Sequence, residues 1–214
     1  TMARYGGIGV LPQDMDLATV GRIIRHIKQA NPIYDTPLMV TGDATLRDVQ
    51  GIILKRAHDM VVVVDHEQKP LGIITHADLR EKDQYTPAAE LMQTRLVTVD
   101  AGISNRDAFI EMEKERVKAA PVVNQSGEVV GVLTRDDAVR MELLSPSLNS
   151  KGELMVAAAV GISAQAGDQA ASLLEMGVDV LVLDTAHGYQ RRMIEALKAV
   201  RKVVGPDFPL VAGN

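Results

Sequence analysis

The chain has 214 residues, 46% hydrophobic and 24% charged, a balance that suits a soluble globular protein of one or two domains. Its formal net charge is −5, and only four Tyr and two Phe are aromatic, so neither a basic field nor a base-stacking surface points to nucleic acid or an anionic membrane. The absence of cysteine excludes disulfides, zinc–thiolate and iron–sulfur sites and a thiol nucleophile among these residues.

The longest apolar runs, such as 61–64 and 154–160, fall far short of the ~18–20 residues of a membrane span. No basic-then-apolar leader opens the chain. A cytoplasmic setting is expected, with no membrane partner and no metal.

In chain order, Thr1 lies in what reads as a helix leading to a strand. Gly6-Gly-Ile-Gly-Val-Leu-Pro-Gln13 follows, where glycines beside Ile8 and Val10 predict a buried strand with close backbone approach. Asp16 then precedes Leu17, Val20, Ile24 and Ile27, the spacing of an amphipathic helix.

A β-α-β-β-α unit comes next. It has an extended stretch at 38–40 and a helix carrying Leu46, Val49, Ile52 and Ile53. A strand at 60–64, a turn at 65–70, a strand at 71–75 and a helix from Ala77 complete it. The unit recurs, with extended residues 96–99, strands at 119–123 and 129–134, a turn at 124–128 and a helix from Asp136. Residues 36–79 align with 95–138 without a gap, at an offset of 59. Identities include Arg47/Arg106, Asp48/Asp107, Gly72/Gly131, Thr75/Thr134 and Asp78/Asp137.

Beyond the repeats, the apolar run 154–160 suits a strand buried on both faces. Asp168 is expected to cap a helix carrying Ala170, Leu173, Leu174 and Met176, which Gly177 stops. A strand over 178–183 ends in Asp184-Thr-Ala-His-Gly188, and a helix with Ile194, Leu197, Val200 and Val204 on one face runs to Gly205-Pro206. A strand at 209–212 leads to Gly213-Asn214. Both ends of the chain are expected to be cuts in a longer protein.

Strands alternating with helices on short connections mean a parallel sheet, and an open doubly wound sheet or a closed eight-stranded barrel fits equally. Ligands meet the C-terminal strand ends in either fold. Gly161, Asp184, Thr185, His187, Gly188, Gly213 and Asn214 stand there, with His187 reading as a loop hydrogen-bonder rather than a catalyst. In the repeats, Gly72-Ile-Ile-Thr75-His-Ala-Asp78 and Gly131-Val-Leu-Thr134-Arg-Asp-Asp137 each bring a strand into a helix. Such a junction offers free N–H groups to an anion and a carboxylate to a ribose diol, and the same residues also read simply as helix caps.

The repeats, over about 32–145, resemble a tandem pair of CBS domains. That resemblance implies adenine or guanine nucleotide binding, ATP among them, at Thr75, Asp78, Thr134 and Asp137. With the pair set between Gly-Gly-Ile-Gly on one side and Ala-Ala-Val-Gly, Asp-Thr-Ala-His-Gly and Ala-Gly-Asn on the other, the whole chain resembles the IMP dehydrogenase/GMP reductase family. The implied fold is α/β, a partial TIM (β/α)8 barrel with an inserted CBS pair. The implied segments are 1–31 and 149–214 for the barrel and 32–90 and 91–148 for the two CBS copies.

The implied chemistry moves a hydride between C2 of a purine nucleotide and NAD or NADP, with a cysteine nucleophile. With no cysteine here, the chain itself is expected to be inactive. Asp184, Thr185, Gly161 and Asn214 match family positions around the nicotinamide cofactor, and a homo-oligomer, a tetramer in the family, is implied. Leu11-Pro12-Gln13-Asp14, Ile162 and His187-Gly-Tyr-Gln190 depart from the familiar dehydrogenase pattern. The first of these resembles an actinobacterial branch bearing CBS domains. The leading expectation is an IMP dehydrogenase (IMP and NAD to XMP and NADH). A GMP reductase and a stand-alone nucleotide-sensing module are the alternatives.

Overall fold

The computed structural model describes residues 2–55 and 58–213. They form two units, one of residues 2–32 with 144–213 and one of residues 33–55 with 58–143.

The first unit begins with a 3-10 turn, Met2–Tyr5, followed by β1 (Gly9–Leu11) and α1 (Leu17–Gln29). Asp16 caps α1 by accepting from the Thr19 N–H at 2.9 Å. That bond holds the Asp16 carboxyl below the usual carboxylate range. The chain returns to this unit for β8 (Val156–Val160), α6 (Ala166–Glu175), β9 (Val180–Asp184), α7 (Arg191–Val204) and β10 (Leu210–Gly213). The sheet order is β1-β8-β9-β10, all parallel.

Val20 and Ile24 of α1, Ala170 and Leu173 of α6 and Met193, Ala196 and Val200 of α7 share one core with Val156, Ala158, Val160, Leu181 and Leu183. All three helices therefore cover the same face, and each new strand is added on the same side. A doubly wound sheet reverses direction and covers both faces, so this progression is the barrel-type alternative. Each fully buried Val, Leu or Ile in that layer contributes about 1.5–3 kcal/mol.

Several expectations for this unit are corrected. The opening segment is a single 3-10 turn, and the Gly-Gly-Ile-Gly strand is an edge strand rather than a buried one. Val10 is 51% exposed, and nothing lies within 4 Å of where a Cβ on Gly9 would stand. Gln165, not Asp168, holds the N-cap position of α6; Asp168 lies in its first turn. Ile194 faces outward, and Met193 and Ala196 supply the buried face with Val200. Gly177 and Gly205 end their helices at φ +88° and +84°, as their positions predicted.

The second unit repeats one topology. The first copy has β2 (Met39–Thr41), α2 (Leu46–Ile53), β3 (Met60–Val64), β4 (Pro70–Thr75), a 3-10 turn His76–Leu79 and α3 (Ala88–Leu91). The second has β5 (Val99–Asp100), α4 (Asn105–Lys114), β6 (Ala119–Val123), β7 (Val129–Thr134) and α5 (Arg135–Leu143). The three-stranded sheets, β2-β3-β4 and β5-β6-β7, each join a parallel pair to an antiparallel one. Both carry a register shift at the same place, between Val63 and Val64 and between Val122 and Val123.

Strand alternation divides the core. Val61, Val63 and Ile74 pack under α2, and Ala120, Val122 and Leu133 pack under α4 and α5. The opposite faces meet in a cluster of Met60, Val62, Val64, Val129 and Val132. The expected helix from Ala77 is only the 3-10 turn, because Arg80-Glu-Lys-Asp-Gln84 offers no apolar residue to bury.

Pro121 sits inside β6 without breaking the sheet. Its partner Val132 exchanges both backbone bonds with Asp35 on its outer side, at 2.8 and 2.9 Å. The cost appears on the other edge. In the first copy Val62 donates to the Leu38 carbonyl at 2.8 Å, whereas Pro121, at the matching place, has no N–H to give. β5 is accordingly one residue shorter than β2. Among the described residues no helix is long and apolar enough to cross a membrane.

Candidate functional site

At the C-terminal edge of the four-stranded sheet, Asp184 ends β9. It shares a face with Val180 and Val182, opposite the helix-covered Leu181 and Leu183. Gly213 is its direct partner on β10, and Gly161 lies one residue past the Val160–Leu183 pair on β8. A carboxylate thus stands between two residues without side chains. It is exposed and makes no hydrogen bond or ion pair with another described residue.

The two glycines are not equally open. Around Gly213 nothing lies within 4 Å of a built Cβ, while at Gly161 it would meet Gln13 Oε1 at 2.8 Å. Gln13, just past β1, therefore reaches over the end of β8. A free carboxylate beside an open slot fits a vicinal diol such as a nicotinamide ribose. Asn214 lies outside the described residues.

The loop after Asp184 is held by Gln190. Its Nε2 donates to Thr185 Oγ1 at 2.9 Å and to the His187 carbonyl at 2.7 Å. Gln190 occupies the N-cap position of α7 but makes no side-chain cap bond. It fixes the loop at the expense of the cap. Thr185 is half-buried, with its hydroxyl proton available to a ligand, and Tyr189 is fully exposed.

In the repeat unit, Asp78 Oδ2 accepts from the Thr75 N–H at 2.8 Å and from Thr75 Oγ1 at 2.7 Å. This reproduces the cap that starts α2, where Asp48 accepts from the Thr45 N–H and hydroxyl at 2.9 and 2.7 Å. Those bonds keep the Asp48 carboxyl below the usual range. In the second copy the Asp137 N–H donates to Thr134 Oγ1 at 3.0 Å, the bond that the capping box of the first copy also contains. Asp78 differs from an ordinary cap by a further partner, Gln93, whose Nε2 reaches both carboxylate oxygens at 2.8 and 2.9 Å.

Sequence reasoning missed Gln13, Gln93 and Gln190 as site residues. Gln13 and Gln190 carried a signal, since each stands in a motif that departs from the family pattern. Gln93 acts across strands, and no local spacing marks it.

The family model described as IMP dehydrogenase / GMP reductase domain matches residues 1–214. The chain belongs to the IMP dehydrogenase/GMP reductase family. Within it, the chain is 37% identical over 214 residues to a protein named GMP reductase from Mycobacterium tuberculosis, covering all of this chain and 44% of that relative. It is 33% identical over 217 residues to an inosine-5′-monophosphate dehydrogenase from Halalkalibacterium halodurans, again covering 44% of it. The chain therefore spans less than half the length of these relatives.

Among solved structures of the family, it matches a GMP reductase variant from Trypanosoma brucei in complex with guanosine 5′-monophosphate. The TM-score is 0.67 at 31% identity, over all of this chain and 47% of that one. A second structure of that enzyme, in complex with guanosine 5′-triphosphate, matches with a TM-score of 0.68 at 31% identity, over 53% of its chain. The α/β fold and the family are thus shared with GMP reductase.

Proposed function

We propose that this chain is part of a purine-nucleotide oxidoreductase, a partial TIM barrel interrupted by a CBS pair. In this reading residues 1–31 and 149–214 form barrel segments, and 32–90 and 91–148 are the two CBS copies. The carrying observation is the exposed Asp184 carboxylate, unpaired among the described residues, between Gly161 and Gly213. Asp184 receives the ribose hydroxyls of NAD or NADP, Thr185 and Asn214 flank it, and Gly161 leaves the ring room to approach. The cofactor, when bound, supplies or accepts the hydride exchanged at C2 of the purine. The thiol nucleophile of the family is not among these 214 residues, so turnover needs residues outside them.

The reductive direction is favoured over the dehydrogenase. The relative named GMP reductase shares 37% identity, against 33% for the dehydrogenase. The balanced reaction is GMP + NADPH + H⁺ giving IMP + NADP⁺ + NH₃. Thr75, Asp78, Thr134 and Asp137 are the contacts for a regulatory adenine or guanine nucleotide. A related enzyme's complex with guanosine 5′-triphosphate, which is not the monophosphate substrate, supports that role.

The test uses the product of the complete reading frame, assayed with GMP plus NADPH and with IMP plus NAD. GMP-dependent NADPH oxidation with ammonia release is expected, and Asp184→Ala should raise KM for NADPH about tenfold or more. Turnover of IMP with NAD alone would reverse the direction, and turnover of neither pair would reject the reading.

A further inference from the structure

The two repeats end on the same Thr-x-x-Asp spacing, and in the first copy Asp78 is already occupied. Its Oδ2 accepts from the Thr75 N–H, the Thr75 hydroxyl and Gln93 Nε2, and its Oδ1 accepts from Gln93 Nε2 at 2.8 Å. Gln93 lies on the strap joining the two copies. Its backbone is pinned to β4, with Gln93 N–H on the Ile73 carbonyl at 2.9 Å and Ile73 N–H on the Gln93 carbonyl at 3.1 Å. Gly72 admits the strap, because a Cβ there would stand 2.7 Å from the Gln93 oxygen.

The residue that matches Gln93 at the offset of 59 is Tyr34, on the segment leading into the first copy. It covers Gly131, where a Cβ would stand 2.0 Å from the ring. The two straps thus occupy equivalent places with different side chains. One brings a carboxamide donor and the other a ring packed on its glycine. The Gln93 residue is exposed, so its side chain can swing away while its backbone stays paired.

A vicinal diol donates two hydroxyls to a carboxylate, one to each oxygen. Gln93 Nε2 holds those same two oxygens. We infer that Gln93 is a built-in competitor for the Asp78 half of the nucleotide site, so that a ribose reaches Asp78 only by displacing it. This rests on the nucleotide-binding reading of the repeats proposed above.

Calorimetric titration of the 214-residue chain with ATP and with 2′,3′-dideoxy-ATP tests it. Gln93→Ala, and as a second variant Gln93→Leu, should tighten the ATP site that uses Asp78 about tenfold. Neither should change dideoxy-ATP binding, and Asp78→Asn in the Gln93→Ala background should erase the gain. Circular dichroism should show both Gln93 variants folded as the parent. Equal gains for ATP and its dideoxy analogue would overturn the competition for the diol. An unchanged ATP isotherm, with Asp137→Ala still weakening binding, would overturn the role of Gln93 and leave the nucleotide reading standing. No heat with ATP or GTP in the parent and both variants would overturn that reading, and the inference with it.

Discussion

Asp179 and Asp184 bracket β9 and are used in opposite ways. Asp179 is fully committed: its Oδ2 accepts from Lys28 Nζ at 2.5 Å and from the Val156 N–H at 2.8 Å, and Oδ1 accepts from Asn149 at 3.2 Å. Lys28 also donates to the Leu154 carbonyl at 3.2 Å, and both side chains of the pair are only 11% exposed. This network ties α1, the segment leading into β8 and β9 together at the N-terminal edge of the sheet. Asp184 stands unpaired among the described residues at the other edge, where ligands meet parallel sheets. Lys28→Met strands a mostly buried carboxylate and should cost about 3 kcal/mol in urea unfolding. Asp184→Asn should change stability by less than about 0.5 kcal/mol. A loss at Asp184 as large as that at Lys28 would make it a structural residue and remove the main support for a cofactor site.

Among the elements, the straps explain why the repeat motif begins with glycine. Gly72 and Gly131 each lie under a segment from the other copy, and Ile73 and Val132 exchange backbone bonds with Gln93 and Asp35. Each outer strand edge is thereby paired rather than open. Gly131→Ala should lower unfolding stability by about 1–3 kcal/mol, since the ring of Tyr34 has to move. Adding Tyr34→Ala should recover part of that loss in thermal melts; a double variant no better than the single one would rule out the ring as the cause. The repeat was legible because two periods recur over whole strands and helices, and the parallel sheet because apolar runs alternate with amphipathic helices. The straps were not legible, for they pair through isolated single bridges that leave no period. The helix after Thr75 was misread because the matching copy carries one there, while Arg80-Glu-Lys-Asp-Gln84 has nothing to bury. The position of Asp184 at the end of β9 was legible from the apolar run before it. Gln190 and Gln93 depend on loop closure and cross-strand reach, which spacing does not encode.

Over the whole molecule, residues 33–143 enter and leave the first unit at neighbouring points. Arg4 Nε donates to the Asn31 carbonyl at 2.9 Å, and the Ser147 N–H donates to the carbonyl of the adjacent Ala3 at 2.7 Å. Gly6 lies against Ser145, where a Cβ would come within 3.1 Å of the carbonyl oxygen. The crossover from α1 to β8 is therefore closed within the first unit itself. Each unit also has cores of its own, one built on the parallel sheet and the others on the two small sheets. Scanning calorimetry of the intact chain should then show two transitions. Replacing 33–143 with a short Gly-Ser linker should remove one transition and leave the other near its original temperature. ATP at about 100 times its Kd should raise only the transition that the excision removes, by about 2.7 kcal/mol. A single transition that ATP shifts as a whole would instead mean that the units unfold as one cooperative block. Nucleotide binding to the repeats would then stabilise the parallel-sheet unit directly.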